Sequence, residues 1–267
     1  MPKLRFTIPA ELPEPEIISP ADILRSYDDG TTDLVCVLGP TASGKTRFAV
    51  ALAGEFNRLC GRQRTEILSA DSRQVYRGMD IGTGKDLSEY GDIPYHLIDI
   101  CDAGERYNVY RYQQTFSTAW QDIRSRGNIP LLCGGTGLYI EAATCGYDFD
   151  KDHPVIPPQA LPEHTFYIGT LVSREERNER IDKRLDARLE EGMVDEVKHL
   201  LDRGVSPDAL IHYGLEYKFV TLHLLGALSH EQMRRQLRDS IHQFAKRQMT
   251  WFRGMERDGV TIHWVRP

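Results

Sequence analysis

From Asp33 onward, short apolar runs at 34–38, 65–69, 96–100 and 129–133 alternate with longer segments of helical period. Runs of that length between polar turn residues predict buried strands, and the 3.6-residue periodicity between them predicts helices. The alternation predicts an α/β fold, a parallel sheet flanked by helices. A further apolar run at 165–171 returns to the same sheet, and the Pro- and Asp-rich segment 147–163 before it predicts a loop or crossover over the sheet edge. From Ser173 the pattern is mostly helical to the end, with Ser173 as a cap and Glu175 and Glu176 complementing the helix dipole. Residues 1–33 carry Pro9, Pro13, Pro15 and Pro20, then Asp28, Asp29 and Gly30. They predict an N-terminal extension with one short helix over about 21–27 and no catalytic part. One main domain, 34–267, follows.

Composition narrows the class. A chain of 267 residues, 40% hydrophobic and 27% charged, is long enough to bury a real core. No apolar run is long enough to cross a bilayer, and the N-terminus lacks a basic stretch followed by an apolar core, so a cytoplasmic location without membrane contact is expected. The five cysteines are scattered and odd in number, which fits reduced thiols, and neither they nor the nine histidines have metal-ligand spacing. A net charge of −6 argues against indiscriminate nucleic-acid binding and leaves local patches to decide.

The segment Gly39-Pro-Thr-Ala-Ser-Gly-Lys-Thr46 fits G-x-x-x-x-G-K-[ST] between a predicted strand and a predicted helix. Such a P-loop turns backbone amides and a helix N-terminus onto phosphate oxygens. Gly39, Thr41, Ala42, Ser43, Gly44, Lys45 and Thr46 are therefore candidate diphosphate ligands, with Lys45 as a point charge and the Thr46 hydroxyl as a ligand for Mg²⁺.

Further segments narrow the chemistry: 69–76 (SADSRQVY), 81–85 (IGTGK), 94–99 (PYHLID), 134–139 (GGTGLY) and 246–253 (KRQMTWFR). With the P-loop they occur in the order of the tRNA dimethylallyltransferase, or isopentenyltransferase, family, which the chain resembles over roughly 39–140 and 173–253. The resemblance implies transfer of a dimethylallyl group from dimethylallyl diphosphate to the N6 amine of an adenosine beside the tRNA anticodon. It implies Asp71 as general base, since an adenine amine is a poor nucleophile that must lose a proton as the C–N bond forms. An isolated Asp-Ser pair would otherwise read as a cap or turn. By the same resemblance Ser72, Gln74 and Thr136 contact the acceptor, and Arg184 contacts the diphosphate with Arg180 assisting. Arg177, Arg180, Arg184 and Arg188 share one helix stripe; Arg177 and Arg188 are read as a solvated face pairing with Glu176, Asp182 and Glu190. Asp99 is either near the metal shell or structural.

Residues 234–257 hold seven Lys or Arg against two acidic residues, interleaved with Phe244, Trp251 and Phe252. Lys246, Arg247 and Arg253 are candidate RNA contacts, whereas Trp251 and Phe252 are expected in the core. The sequence departs from the family at Gly84 and Asp86, where Ala and Pro are usual, at Tyr95 for a histidine, in the altered segment 213–218, and in the shortened insertion 147–163 that precedes the helical, basic part 173–267. The leading expectation is a monomeric tRNA-modifying enzyme. Transfer to free adenine nucleotides, a P-loop small-molecule kinase using ATP, and a silent RNA-binding relative are the alternatives.

Overall fold

The computed structural model describes residues 12–147 and 161–267; the first eleven residues of the expected extension and most of the segment expected to be a shortened insertion, 148–160, lie outside them. Helix α1 (Pro20–Asp28) begins with Pro at its first position, and the Ser19 hydroxyl accepts from the Asp22 N–H. Strand β1 (Leu34–Leu38) is wholly buried and feeds α2 (Lys45–Cys60) through the P-loop. Then come β2 (Thr65–Ala70), the short β3 (Tyr76–Arg77), β4 (Tyr95–His96) and β5 (Cys101–Asp102), α3 (Val109–Ser125), β6 (Ile129–Gly134), α4 (Gly137–Thr144) and β7 (Thr165–Thr170). Five helices follow: α5 (Arg174–Glu191), α6 (Met193–Asp202), α7 (Pro207–Tyr213), α8 (Leu215–Leu224) and the long α9 (His230–Arg257), which leads to β8 (Ile262–Val265).

The main sheet runs β4-β2-β6-β1-β7-β8 with every neighbouring pair parallel, as the alternating pattern predicts. Side chains alternate across it: Leu34, Cys36 and Leu38 pack with Tyr112, Phe116 and Trp120 on the α3 face, while Val35 and Val37 pack with Phe56 of α2 and Ile23 of α1 on the other. Helices α5 to α9 close a separate core around Ile181, Leu185, Val197, Leu237 and Ile241. Gly134 lies opposite both Leu38 and Ala70, so β1, β2 and β6 end level and their following loops meet at one edge.

Two expectations are corrected here. The run at 96–100 pairs with the sheet only at Tyr95–His96, because Leu97 and Asp99 take left-handed φ of 66° and 55° and turn the chain out of the ladder. Its apolar residues are buried all the same, Leu97 on one sheet face and Ile98 on the other. The C-terminal part is not helical to its end, since β8 returns to the sheet as the partner of β7.

Candidate active site

The loops leaving β1, β2 and β6, together with α5 and α9, line a cleft of about 490 Å³ at the carboxyl edge of the sheet, where open parallel sheets place their ligands. The P-loop has its tight turn at Gly44, whose φ of 83° falls in the left-handed region that glycine tolerates without strain. Ser43 is buried and shares a 2.6 Å hydrogen bond with the Thr170 hydroxyl, so its side chain holds the loop to β7. The Thr41 N–H donates to Gln248 Oε1 at 2.8 Å, and Gln248 Nε2 donates to the Gly135 carbonyl at 2.7 Å. One side chain of α9 thereby bridges the P-loop and the loop after β6. With the Thr41 amide so engaged, the first-turn amides of α2, at Lys45 and Thr46, are the ones helix geometry leaves for an anion.

Lys45, Thr46, Asp71, Gln74, Arg180 and Arg184 all line this cleft. Burial lowers the pKa of the Lys45 ammonium, while the nearby Cys133 and Asp71 act to raise it. Arg184 donates from Nη2 to the Thr41 hydroxyl. Burial, reinforced by the neighbouring Arg188 charge, pushes Arg184 down to about 10. Arg180, more exposed, pairs with Glu176 at 2.6 Å. Asp71 Oδ1 accepts the Arg73 N–H at 2.9 Å and the Asp71 N–H donates to Ser69 Oγ at 3.3 Å. It is thus a turn aspartate and a cleft residue at once.

Ser72 and Thr136 tie the β2 and β6 loops together: the Ser72 N–H donates to Thr136 Oγ1 at 3.1 Å, and that hydroxyl donates to Ser72 Oγ at 3.4 Å. Gln74 donates to the Gly84 carbonyl at 3.3 Å and accepts from Ser69 Oγ at 3.1 Å. On α9, Lys246 and Arg247 are exposed, and Arg253 pairs with Glu256 at 2.7 Å. Phe252 is in the core, as expected, but Trp251 is 40% exposed; its indole packs against Gly137 and donates to Glu141 at 2.7 Å. The core expectation for Trp251 is corrected.

The solvated reading of Arg177 and Arg188 is also corrected, because both are buried. Glu176 pairs with Arg180 and Asp182 with His242, leaving neither carboxylate in the expected pairings. Asp99 proves structural: with Asp80 it accepts from the fully buried Lys85 ammonium. Sequence reasoning missed Arg73, which lines the cleft, pairs with buried Glu216 and sits 5.7 Å from the Phe244 ring centre. Burial opposes its charge, but Glu216 and then Asp71 outweigh it and raise its pKa. Arg73 and Gln248 both sit inside quoted motifs, so the signal was present without a partner to identify it.

Against known proteins, the family described as IPP transferase matches residues 74–163 and 150–255. The chain belongs to that family. It is 46% identical to "tRNA dimethylallyltransferase 1" of Parabacteroides distasonis, over 91% of this chain and 93% of that one, and 46% identical to "tRNA dimethylallyltransferase 2" of Bacteroides fragilis, over 87% and 92%. The solved structure of a full-length tRNA isopentenylpyrophosphate transferase from Bacillus halodurans superposes with a TM-score of 0.75 at 32% identity, covering 87% of this chain and 89% of that one. Family membership fits the cation-lined cleft and sets aside the kinase alternative. Among the described residues no helix is long and apolar enough to cross a membrane.

Proposed function

We propose that this chain transfers the dimethylallyl group of dimethylallyl diphosphate to the N6 amine of a tRNA adenosine next to the anticodon. The observation that carries this reading is the meeting of Lys45, Thr46, Asp71 and Arg184 in one cleft, with the exposed Arg247 of α9 against Phe244 on its wall. The donor's leaving group is an anion. Lys45, the α2 N-terminus and Arg184 neutralise it as the C–O bond breaks, and the chain's dipoles are in place before charge develops.

The adenosine amine attacks the allylic carbon, its proton passes to the Asp71 carboxylate oxygen not engaged by the Arg73 N–H, and diphosphate departs. Arg73, held by Glu216, fixes that carboxylate's turn. Ser72, Gln74 and Thr136 shape the acceptor wall between the β2 and β6 loops. Oxygen donors suit Mg²⁺, and the Thr46 hydroxyl, which lines the same cleft as Asp71, would hold it. When bound, the ion supplies further neutralisation of the diphosphate.

The acceptor is an RNA on two grounds: the relatives' names specify tRNA, and Lys246 and Arg247 are exposed on α9. The family match falls in two pieces that meet at 150–163, and the Parabacteroides distasonis alignment spans 298 positions against 267 residues here. Both support a shortened insertion. That shortening favours one second reading, transfer to free adenine nucleotides. Labelled dimethylallyl diphosphate with Mg²⁺ is offered unmodified tRNA, AMP and ATP in parallel, with Asp71→Ala as control. Label in tRNA, lost in the variant, is expected; label in AMP or ATP instead would move the chain to the free-nucleotide class.

A further inference from the structure

Arg188, one turn beyond Arg184 on α5, lines the same cleft with its side chain only 8% exposed. Its Nη2 is buried with no hydrogen-bond partner, and the Asp86 carboxylate is 4.0 Å away, at the limit of an ion pair. A buried guanidinium left without a hydrogen bond costs stability unless a ligand completes it. The local backbone makes room for it: Gly84 has a φ of 65°, and a Cβ there would overlap the Arg188 guanidinium, with Cζ only 2.8 Å away. Arg188 and the partly buried Arg184, one turn apart, repel each other, an arrangement that an anion with several oxygens relieves. Glycine at 84 and aspartate at 86 thus form a cradle that holds the Arg188 fork at the cleft wall.

We infer that Arg188 is a second arginine fork on the donor's diphosphate, and that Gly84 is a positioning residue which keeps that fork in the cleft. This rests on the diphosphate reading of the cleft and extends it to a residue outside the P-loop and Arg184. Arginine suits the task because its planar donors match phosphate oxygens two at a time.

The test titrates the full-length chain with inorganic diphosphate and Mg²⁺ by calorimetry, alongside the KM for dimethylallyl diphosphate and for tRNA. Arg188→Ala and Arg188→Gln are each expected to weaken diphosphate by about tenfold to a hundredfold, the worth of charge-assisted hydrogen bonds. The donor KM should rise with them and the tRNA KM stay unchanged. Gly84→Ala should reproduce the loss in the wild-type background and add nothing in Arg188→Ala, as two residues acting through one contact must. Ligand-free melting curves identify a variant that fails to fold; should Arg188→Ala do so, Arg188→Gln decides. If Arg184→Ala loses diphosphate while the folded Arg188 variants bind it as the wild type does, the role of Arg188 is overturned and the donor reading stands. A wild type that binds no diphosphate overturns both.

Discussion

Arg184 shows what the cleft costs its own protein. Burial first, and the Arg188 charge second, push its pKa down to about 10. A basic group held below its ordinary value destabilises the fold wherever it is charged in both states; that penalty is fully present below about pH 10 and fades as pH rises past it. Near neutral pH the free protein therefore carries a partly desolvated cation that Glu216 and Asp86 offset in part and a bound anion would relieve further. Arg184→Met, which keeps bulk and removes charge, should melt no lower than the wild type while turnover falls by about a hundredfold or more, the scale of losing a preorganised charge contact. Diphosphate should raise the melting temperature of the wild type and not of the variant. A variant that melts lower and still gains from diphosphate would make Arg184 structural.

At the scale of elements, α9 decides the shape of the catalytic edge through Gln248. Its amide holds the Thr41 N–H and the Gly135 carbonyl, so a C-terminal helix fixes two loops that follow different strands. Gln248→Ala should lower stability by about 1–3 kcal/mol, the range for leaving buried partners unsatisfied, as read by urea denaturation. The donor KM should rise as the P-loop loosens; an unchanged KM would confine Gln248 to stability. The order of elements was legible because buried parallel strands are apolar runs with glycine-rich exits, and the P-loop and Asp71 follow two of them. Residues 96–100 were not, since Leu97 and Ile98 are apolar for burial on opposite faces while left-handed turns take them out of the ladder. Strand β8 escaped notice because four residues after a 28-residue helix carry little period of their own. The α5 stripe brought Arg180, Arg184 and Arg188 together at the cleft, yet periodicity gives a face and not what covers it. Arg177 and Arg188 thus read as solvated although the fold buries them.

Over the whole molecule, an acidic chain must hold an acidic polymer, and the distribution of charge resolves the conflict. The net charge is −6, but on α9 Arg234 pairs with Asp186 and Arg253 with Glu256, whereas Lys246 and Arg247 stand exposed. Arg247 also lies 6.0 Å from the ring centre of Phe244, which lines the cleft, so its charge adjoins the site of transfer. Cations that meet a phosphate backbone release counterions, and each contact adds about 0.7–0.9 to the slope of log affinity against log salt. Lys246→Ala and Arg247→Ala should each raise the tRNA KM, lower that slope by about one contact's worth, and leave diphosphate affinity untouched. Binding measured across a salt series separates this from misfolding, which would take diphosphate affinity with it. Were both variants to keep the wild-type slope, α9 would not be the RNA surface, and the free-nucleotide acceptor would become the better account.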